Sequence, residues 1–352
     1  MGGVAGVEMK YALKKATTWG TPVAAGANDG LLLLPTGIRA GDAQLDIDDS
    51  QGLFFSADGT PGPVKIEGDL PGYLRYDGCD LLLALFMGSI GTARALHAAG
   101  AASYDYVYDL DTDTDGLFGT LVRHWKNYVE EIRSVKIAGI TIKGERGKPL
   151  QLIAECIGDH AAYDGTNTAS TFNNVTIRET RNRIHFAQSV FRMNSQSGAA
   201  LQASDAIYPN SFELTAKRKL TGVYSGALTT GGTTPRDIID EPTNDGMPEI
   251  TLKLGFPTHT SKTRLTDLGS DARKKCDITF TGGIIEGAIP RLFKLEFPHL
   301  QMKSVDVVDE AGIIKEPVEF VCHTASAAPT GMTGVTKPFR ISGTNQLAAD
   351  PI

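Results

Sequence analysis

At 352 residues the chain is too long for one small core and has room for about two domains. Hydrophobic residues make up 41% and charged ones 21%, the balance of a folded chain rather than a disordered one, and 39 Gly with 17 Pro imply many turns. The net charge of −7 excludes a strong nucleic-acid grip, which needs a basic face to displace counterions, but leaves room for a surface over which nucleic acid slides.

Cys79, Cys156, Cys276 and Cys322 lie far apart with no C-x-x-C pair. That speaks against a zinc knuckle or a redox motif and for single buried thiols. No signal-peptide pattern opens the chain, and its longest apolar run, 81–87, falls far short of the roughly 20 residues of a membrane span. These features predict a protein made in a reducing cytosol that leaves it as part of something larger.

Residues 16–26 read as an irregular extended segment. Pro22 lacks an amide proton and drives Thr21 away from helix, Gly20 and Gly26 permit positive φ, and Trp19 is an apolar anchor whose N–H needs a partner. Leu31 to Leu34 form a short apolar run stopped by Pro35, expected as a buried strand. Residues 41–52, with Asp42, Asp46, Asp48 and Asp49, read as an acidic loop, and the Gly/Pro-rich 56–63 as a turn. Val64 and Ile66 alternate with Lys65 and Glu67, a strand signal over 64–70.

Residues 77–87 give the clearest helix, with Asp77 as N-cap, Leu81, Leu82, Leu85 and Phe86 on one broad face, and Gly88 as the stop. A helix so apolar must lie against a sheet. Asp111, Asp113, Asp115 and Gly116 satisfy the opening of a calcium-loop pattern, but Val122 stands where a bidentate Glu is needed, so 109–116 reads as a solvated acidic loop.

Strands are expected at 118–125 and 134–143. In the latter Val135 and Ile137 share one parity and Ile140 and Ile142 the other, which places a β-bulge at Ala138-Gly139. A tight turn at Glu145-Arg146-Gly147-Lys148 leads into 150–157, apolar on both parities and hence a central strand. The polar stretch 159–174 is the best linker. Beyond it, strands are expected around Phe212, Leu214 and Ala216, at 250–256, from Ile278, at 292–297, at 302–308 and at 317–323, with a short helix in 265–275. Residues 228–245 read as a long loop and 326–352 as a Gly/Pro/Thr tail or arm.

The order of elements repeats: strand, helix, then three strands, once over 64–157 and again over 250–323, each ending in a hairpin and a Cys-bearing strand. Two tandem domains are expected, 1–175 with an N-terminal arm and 176–352 with a C-terminal tail.

Catalytic motifs are absent: no Walker loop, no G-x-G-x-x-G after a strand, no H-E-x-x-H, no G-x-S-x-G. His97, His124, His160, His185, His259, His299 and His323 read as surface or strand-end residues, and Glu130-Glu131 as a solvated face rather than a glycosidase dyad. The sequence therefore predicts no catalytic, cofactor-binding or metal-binding residues and no cofactor.

The opening K-x-A-T-T-W-G-T-P-V, with the block G-D-L-P-G-Y-L-R-Y-D-G-C-D-L-L-L-A-L-F-M-G at 68–88 and the hairpin at 135–158, resembles tail tube proteins of long-tailed, non-contractile bacteriophages. The resemblance covers most of the first half; the second resembles the family in its strand pattern. It implies a mainly β fold, a β-sandwich with a flanking helix. Strands of neighbouring subunits would join into an inner barrel, and rings would stack into a tube in the virion tail after assembly in the host cytoplasm.

Two domains per chain would make each ring a trimer with pseudo-sixfold symmetry, one domain a hexamer. The implied partners are the chain itself, a tape-measure protein and other tail proteins. DNA would cross the lumen without specific binding, its phosphates repelled by lining carboxylates. The acidic stretches Asp46 to Asp49 and Asp109 to Asp115 would face either the lumen or an adjoining ring. The competing class is a carbohydrate-binding or glycan-cleaving β-sandwich, poorly supplied with aromatic platform by Trp19, Trp125 and 10 dispersed tyrosines.

Overall fold

The computed structural model describes residues 9–35, 37–45, 60–88, 92–163, 175–177, 182–224, 238, 240–310, 312–349 and 351–352. The first half contains β1 (Lys10–Lys15), β2 (Gly30–Leu31), β3 (Arg39–Leu45), β4 (Thr60–Tyr73), α1 (Asp80–Met87), β5 (Thr92–Leu96), β6 (Tyr104–Asp109), β7 (Gly119–His124), β8 (Val129–Glu145), β9 (Gln151–Gly158) and β10 (Ala161–Tyr163). The second contains β11 (Ser189–Ser195), β12 (Ala206–Ile207), β13 (Ser211–Lys217), β14 (Leu220–Val223), β15 (Asp240–Asn244), β16 (Glu249–Phe256), α2 (Thr263–Gly269), β17 (Lys274–Glu286), β18 (Ile289–Val305), β19 (Val308–Glu310), β20 (Ile313–Cys322) and β21 (Arg340–Asn345). The protein is mainly β with two flanking helices, the sandwich-type fold the sequence led us to expect.

One strand order occurs twice. In the first half β4 pairs β9, β9 pairs β8 and β8 pairs β7. In the second half β16 pairs β20, β20 pairs β18 and β18 pairs β17, and every one of these ladders is antiparallel. The long strands β8 and β18 each run 17 residues. The first part of β8 pairs with β7 and its last part with β13, so the strand serves two layers. It can do so because pairing with β9 skips a residue between Ile137 and Gly139, the bulge expected at Ala138-Gly139. In β18 the equivalent skip falls between Met302 and Ser304. Inward residues of both layers, among them Ile140, Leu152, Leu214, Leu252, Phe293 and Phe320, share one apolar core.

The helix in the first half begins at Asp80, not at Asp77, and Cys79 is its N-cap. The Asp77 carboxylate is taken elsewhere: it accepts from Arg291 and from the amide of Gln346, both 3.1 Å away. Gly88, at φ 88°, ends the helix as expected and donates to Ala84.

Other expectations also change. Residues 41–45, expected in an acidic loop, lie in β3, and 60–63, expected in a turn, lie in β4; Asp46, Asp48 and Asp49 fall outside the described residues. Of the first apolar run, 31–34, only Leu31 is strand, in Gly30–Leu31. Of the strands expected at 292–297 and 302–308, residues 292–305 run as one strand, β18, and Val308 begins β19. The expected tail is not free: β21 pairs with both β18 and β6. Of the expected linker, 161–163 is β10 and 164–174 lie outside the described residues; of the 228–245 loop, 240–244 is β15, paired with β14.

The segment around Trp19 is pinned in the way its residues require. The indole N–H donates to the Ile238 carbonyl at 3.1 Å and the ring meets Phe118 edge-on at 5.2 Å. Gly20, at φ 75°, donates to Ser134 Oγ, and Val23 to Thr120 Oγ1.

Candidate functional site

The feature that stands out is a run of eight antiparallel strands, β3-β4-β9-β8-β13-β16-β20-β18, half of them from each end of the chain. Its middle is the β8–β13 ladder, with Glu145 opposite Ser211 and Gly139 opposite Lys217. Side chains alternate across a strand, so one face of this run packs on the core and the other is left open. On β13, Phe212, Leu214 and Ala216 are buried, whereas Ser211, Glu213, Thr215 and Lys217 belong to the open side. On β16, Ile250, Leu252, Leu254 and Phe256 are buried, and Glu249, Thr251 and Lys253 alternate with them.

Register lines the open residues into rows that cross the middle of the chain without a break. One row reads Gln151, Lys143, Glu213, Lys253, Glu319, Ser304, each opposite the next. The neighbouring row reads Ile153, Thr141, Thr215, Thr251, Val321. A third carries Asp69, Glu155, Gly139, Lys217 and Glu249. Ion pairs tie the face together: Lys303 to Glu319 at 2.8 Å, Lys219 to Glu249 at 2.9 Å, and Lys217 to Glu155. Hydrogen bonding to Lys219 holds the Glu249 carboxyl below its usual range. The face is therefore a mosaic of both signs around a band of threonines, not a plain carboxylate lining.

The acidic stretch Asp109 to Asp115 lies away from these rows. Arg340 grips Asp109 through two nitrogens, at 2.7 and 3.0 Å. Asp111 and Asp113 accept from backbone amides of their own loop, as Asx turns do. Beside it, directly after β13, Arg218 donates to the carbonyls of Phe86 and Asp111 and so closes the C-terminal end of α1. Burial lowers the Arg218 pKa to about 10, which leaves it charged at neutral pH. Sequence reasoning passed over Arg218 because its partners lie more than 100 residues away.

The four cysteines are free and buried, and burial pushes their thiols up, Cys79 to about 11 and Cys156 to about 12. Such thiols are inert rather than reactive. His299 and His323 meet with ring centroids 5.4 Å apart at the end of β20, and His97 lies 2.9 Å from Asp105. Among the described residues no group of three His, Cys, Asp or Glu side chains is placed to hold a metal ion. No helix of the described residues is long and apolar enough to cross a membrane.

The chain is a mainly β, sandwich-type protein whose two ends contribute to one open-faced sheet. The phage tail tube protein family matches residues 6–336, and the chain belongs to that family. No curated protein matches it. The protein is thus a structural subunit of the tail tube of a virion, which assembles with copies of itself and with other tail components. The family is a structural one.

Proposed function

We propose that each subunit contributes its eight-strand run to a closed ring, that rings stack into a hollow tube, and that genomic DNA and a tape-measure protein pass through the lumen. The observation that carries this is the β8–β13 ladder. Within one chain it already performs the act that assembly requires, joining the end of one four-strand set to the start of another. An unpaired sheet edge is a template for another chain, and closing the sheet into a ring removes it.

The recurring strand order supports two tandem domains, 1–175 and 176–352, and hence three copies per ring with pseudo-sixfold symmetry. Barrels of roughly 16–18 strands already leave an aqueous channel, and three runs of eight exceed that. The open face lines the lumen in this reading. Its lysines are interleaved with glutamates and threonines, so phosphates meet no continuous basic stripe to release counterions against, and DNA slides. Assembly takes place in the host cytoplasm, and the phage is of the long-tailed, non-contractile kind that the opening motif resembles.

Electron microscopy of the purified protein tests this. Hollow tubes or rings with three copies per turn are expected. Single particles that stay monomeric at high concentration would overturn the proposal, and six copies per ring would overturn the tandem count.

A further inference from the structure

Resting on that reading, we infer that the joint between subunits is a copy of the joint inside the chain: Ser304 and Val305 of β18 in one subunit pair, antiparallel, with Gly41 and Ala40 of β3 in the next. The argument is one of equivalence. Glu155 on β9 sits between Asp69 of β4 and Gly139 of β8; Glu319 on β20 sits between Lys253 of β16 and Ser304 of β18. Gly139 and Ser304 each come directly after a bulge. Superposing these two crossings aligns Ile66 with Ile250 and Leu70 with Leu254, all four buried.

The same superposition aligns β3 with β13. Gly41 opposes Lys65 as Lys217 opposes Glu249, and Ala40 opposes Ile66 as Ala216 opposes Ile250. In the first half the equivalent of Ser304, Gly139, has a partner on its far side: Lys217 of β13, followed by Arg218 donating to the Ala138 carbonyl at 2.7 Å. In the second half, pairing of β17 with β18 stops at Leu300, so residues 301–305 have no ladder partner on that side among the described residues. β3 has its single ladder to β4 and none on its other side among the described residues. The eight-strand run thus ends in one half of a joint and begins with the other, and a second copy of the chain supplies the complement. In this register Gly41 of one subunit stands opposite Ser304 of its neighbour.

The joint is tested by hydrogen exchange on the wild-type protein, before and after assembly, and by cross-linking. On assembly, amide exchange at 40–41 and 304–305 should slow by at least about tenfold as the edges enter a ladder. In the double variant Gly41→Cys/Ser304→Cys, mild oxidation of assembled tubes should link chains into covalent trimers, the native thiols being buried. Gly41→Cys with Glu319→Cys, one strand further away, should not link. Tubes that form without protection of these segments and without the cross-link would overturn the joint while leaving the tube function standing. Absence of any tube would overturn both.

Discussion

The two helices occupy the same place in the repeated strand order and have opposite fates. In α1 seven of eight residues are buried; in α2 none is. The reason lies in the stretch of chain that connects each helix to its next long strand. Between α1 and β7 the chain inserts β5 and β6, and β21 from the far end of the molecule lies on β6. Between α2 and β17 there is only a four-residue connection.

Asp80 in the first turn of α1 is buried, and its partner is Arg94 of β5, which also reaches Tyr108 at 2.6 Å and Asn345 at 2.8 Å. The α2 counterpart, Arg264, pairs with buried Glu316 at 2.6 Å and lies over the Phe256 ring at 3.6 Å, but is itself partly exposed. A helix in this fold becomes core or rim according to the inserted hairpin, and that hairpin is also what fastens the C-terminal strand to the first half.

Matched substitutions sharpen this contrast. Arg94→Met leaves Asp80 buried without its cation, and a loss of about 3–5 kcal/mol in chemical denaturation is expected. Arg264→Met leaves buried Glu316 with His259 at 3.4 Å, and because Arg264 is itself partly exposed the loss should be smaller, about 1–3 kcal/mol. Equal losses would break the comparison.

A second contrast lies at the ends of β9 and β20, where the superposed positions hold Asp159 and His323. Burial raises the Asp159 pKa from 3.8 to about 6, although Ser134 donates to it at 2.9 Å and Arg133 lies 3.4 Å away. Its folded pKa exceeds its unfolded one, so ionised Asp159 costs stability above pH 6, and the cost fades as the pH falls from 6 toward 4. Asp159→Asn should therefore stabilise at pH 8, by about 1–3 kcal/mol, and the gain should shrink in acid.

His323 has the opposite sense. Burial, then the neighbouring His299, then Arg273, lower its pKa, so its neutral form contributes stability above pH 6.5 that is lost as the pH falls. His323→Gln should leave the melting temperature unchanged at pH 8 and lessen its decline below pH 6.5, the smallest of these effects. A variant with the wild-type acid profile would remove His323 from the account.

Local features were legible. The parity switch in 134–143 located the bulge because side chains alternate strictly along a strand and an extra residue reverses them. Trp19 announced its own needs, a pocket and an acceptor, and found both. Asp77 failed as an N-cap because its carboxylate is drawn to Arg291 and Gln346, more than 200 residues away, a competition that no local rule contains.

Residues 292–305, expected as parts of two strands, form one across Pro298, because the β17 ladder skips there, between Phe297 and Leu300, and proline costs no ladder hydrogen bond. Residues 340–345 carry no strong strand pattern and become a strand because β18 and β6 satisfy both of their edges. Of the proposed assembly surface, the outward parity of Glu213 and Lys217 could be read; the rows they form with Lys143 and Lys253 could not.

The sequence by itself determined the long strands β8, β9, β13 and β16, their buried faces, the hairpin turn at Gly147, the strand–helix repeat and, through its opening motif, the likeness to tail tubes, because periodicity and φ preference are properties of neighbouring residues. Tertiary structure decided register, which helix would be buried, where Asp80, Arg94, Arg218 and Glu316 find their counter-charges, and that the two halves share one sheet. Those outcomes depend on hydrogen bonds and ion pairs between residues far apart in the chain, and such pairings exist only once the chain has folded back on itself.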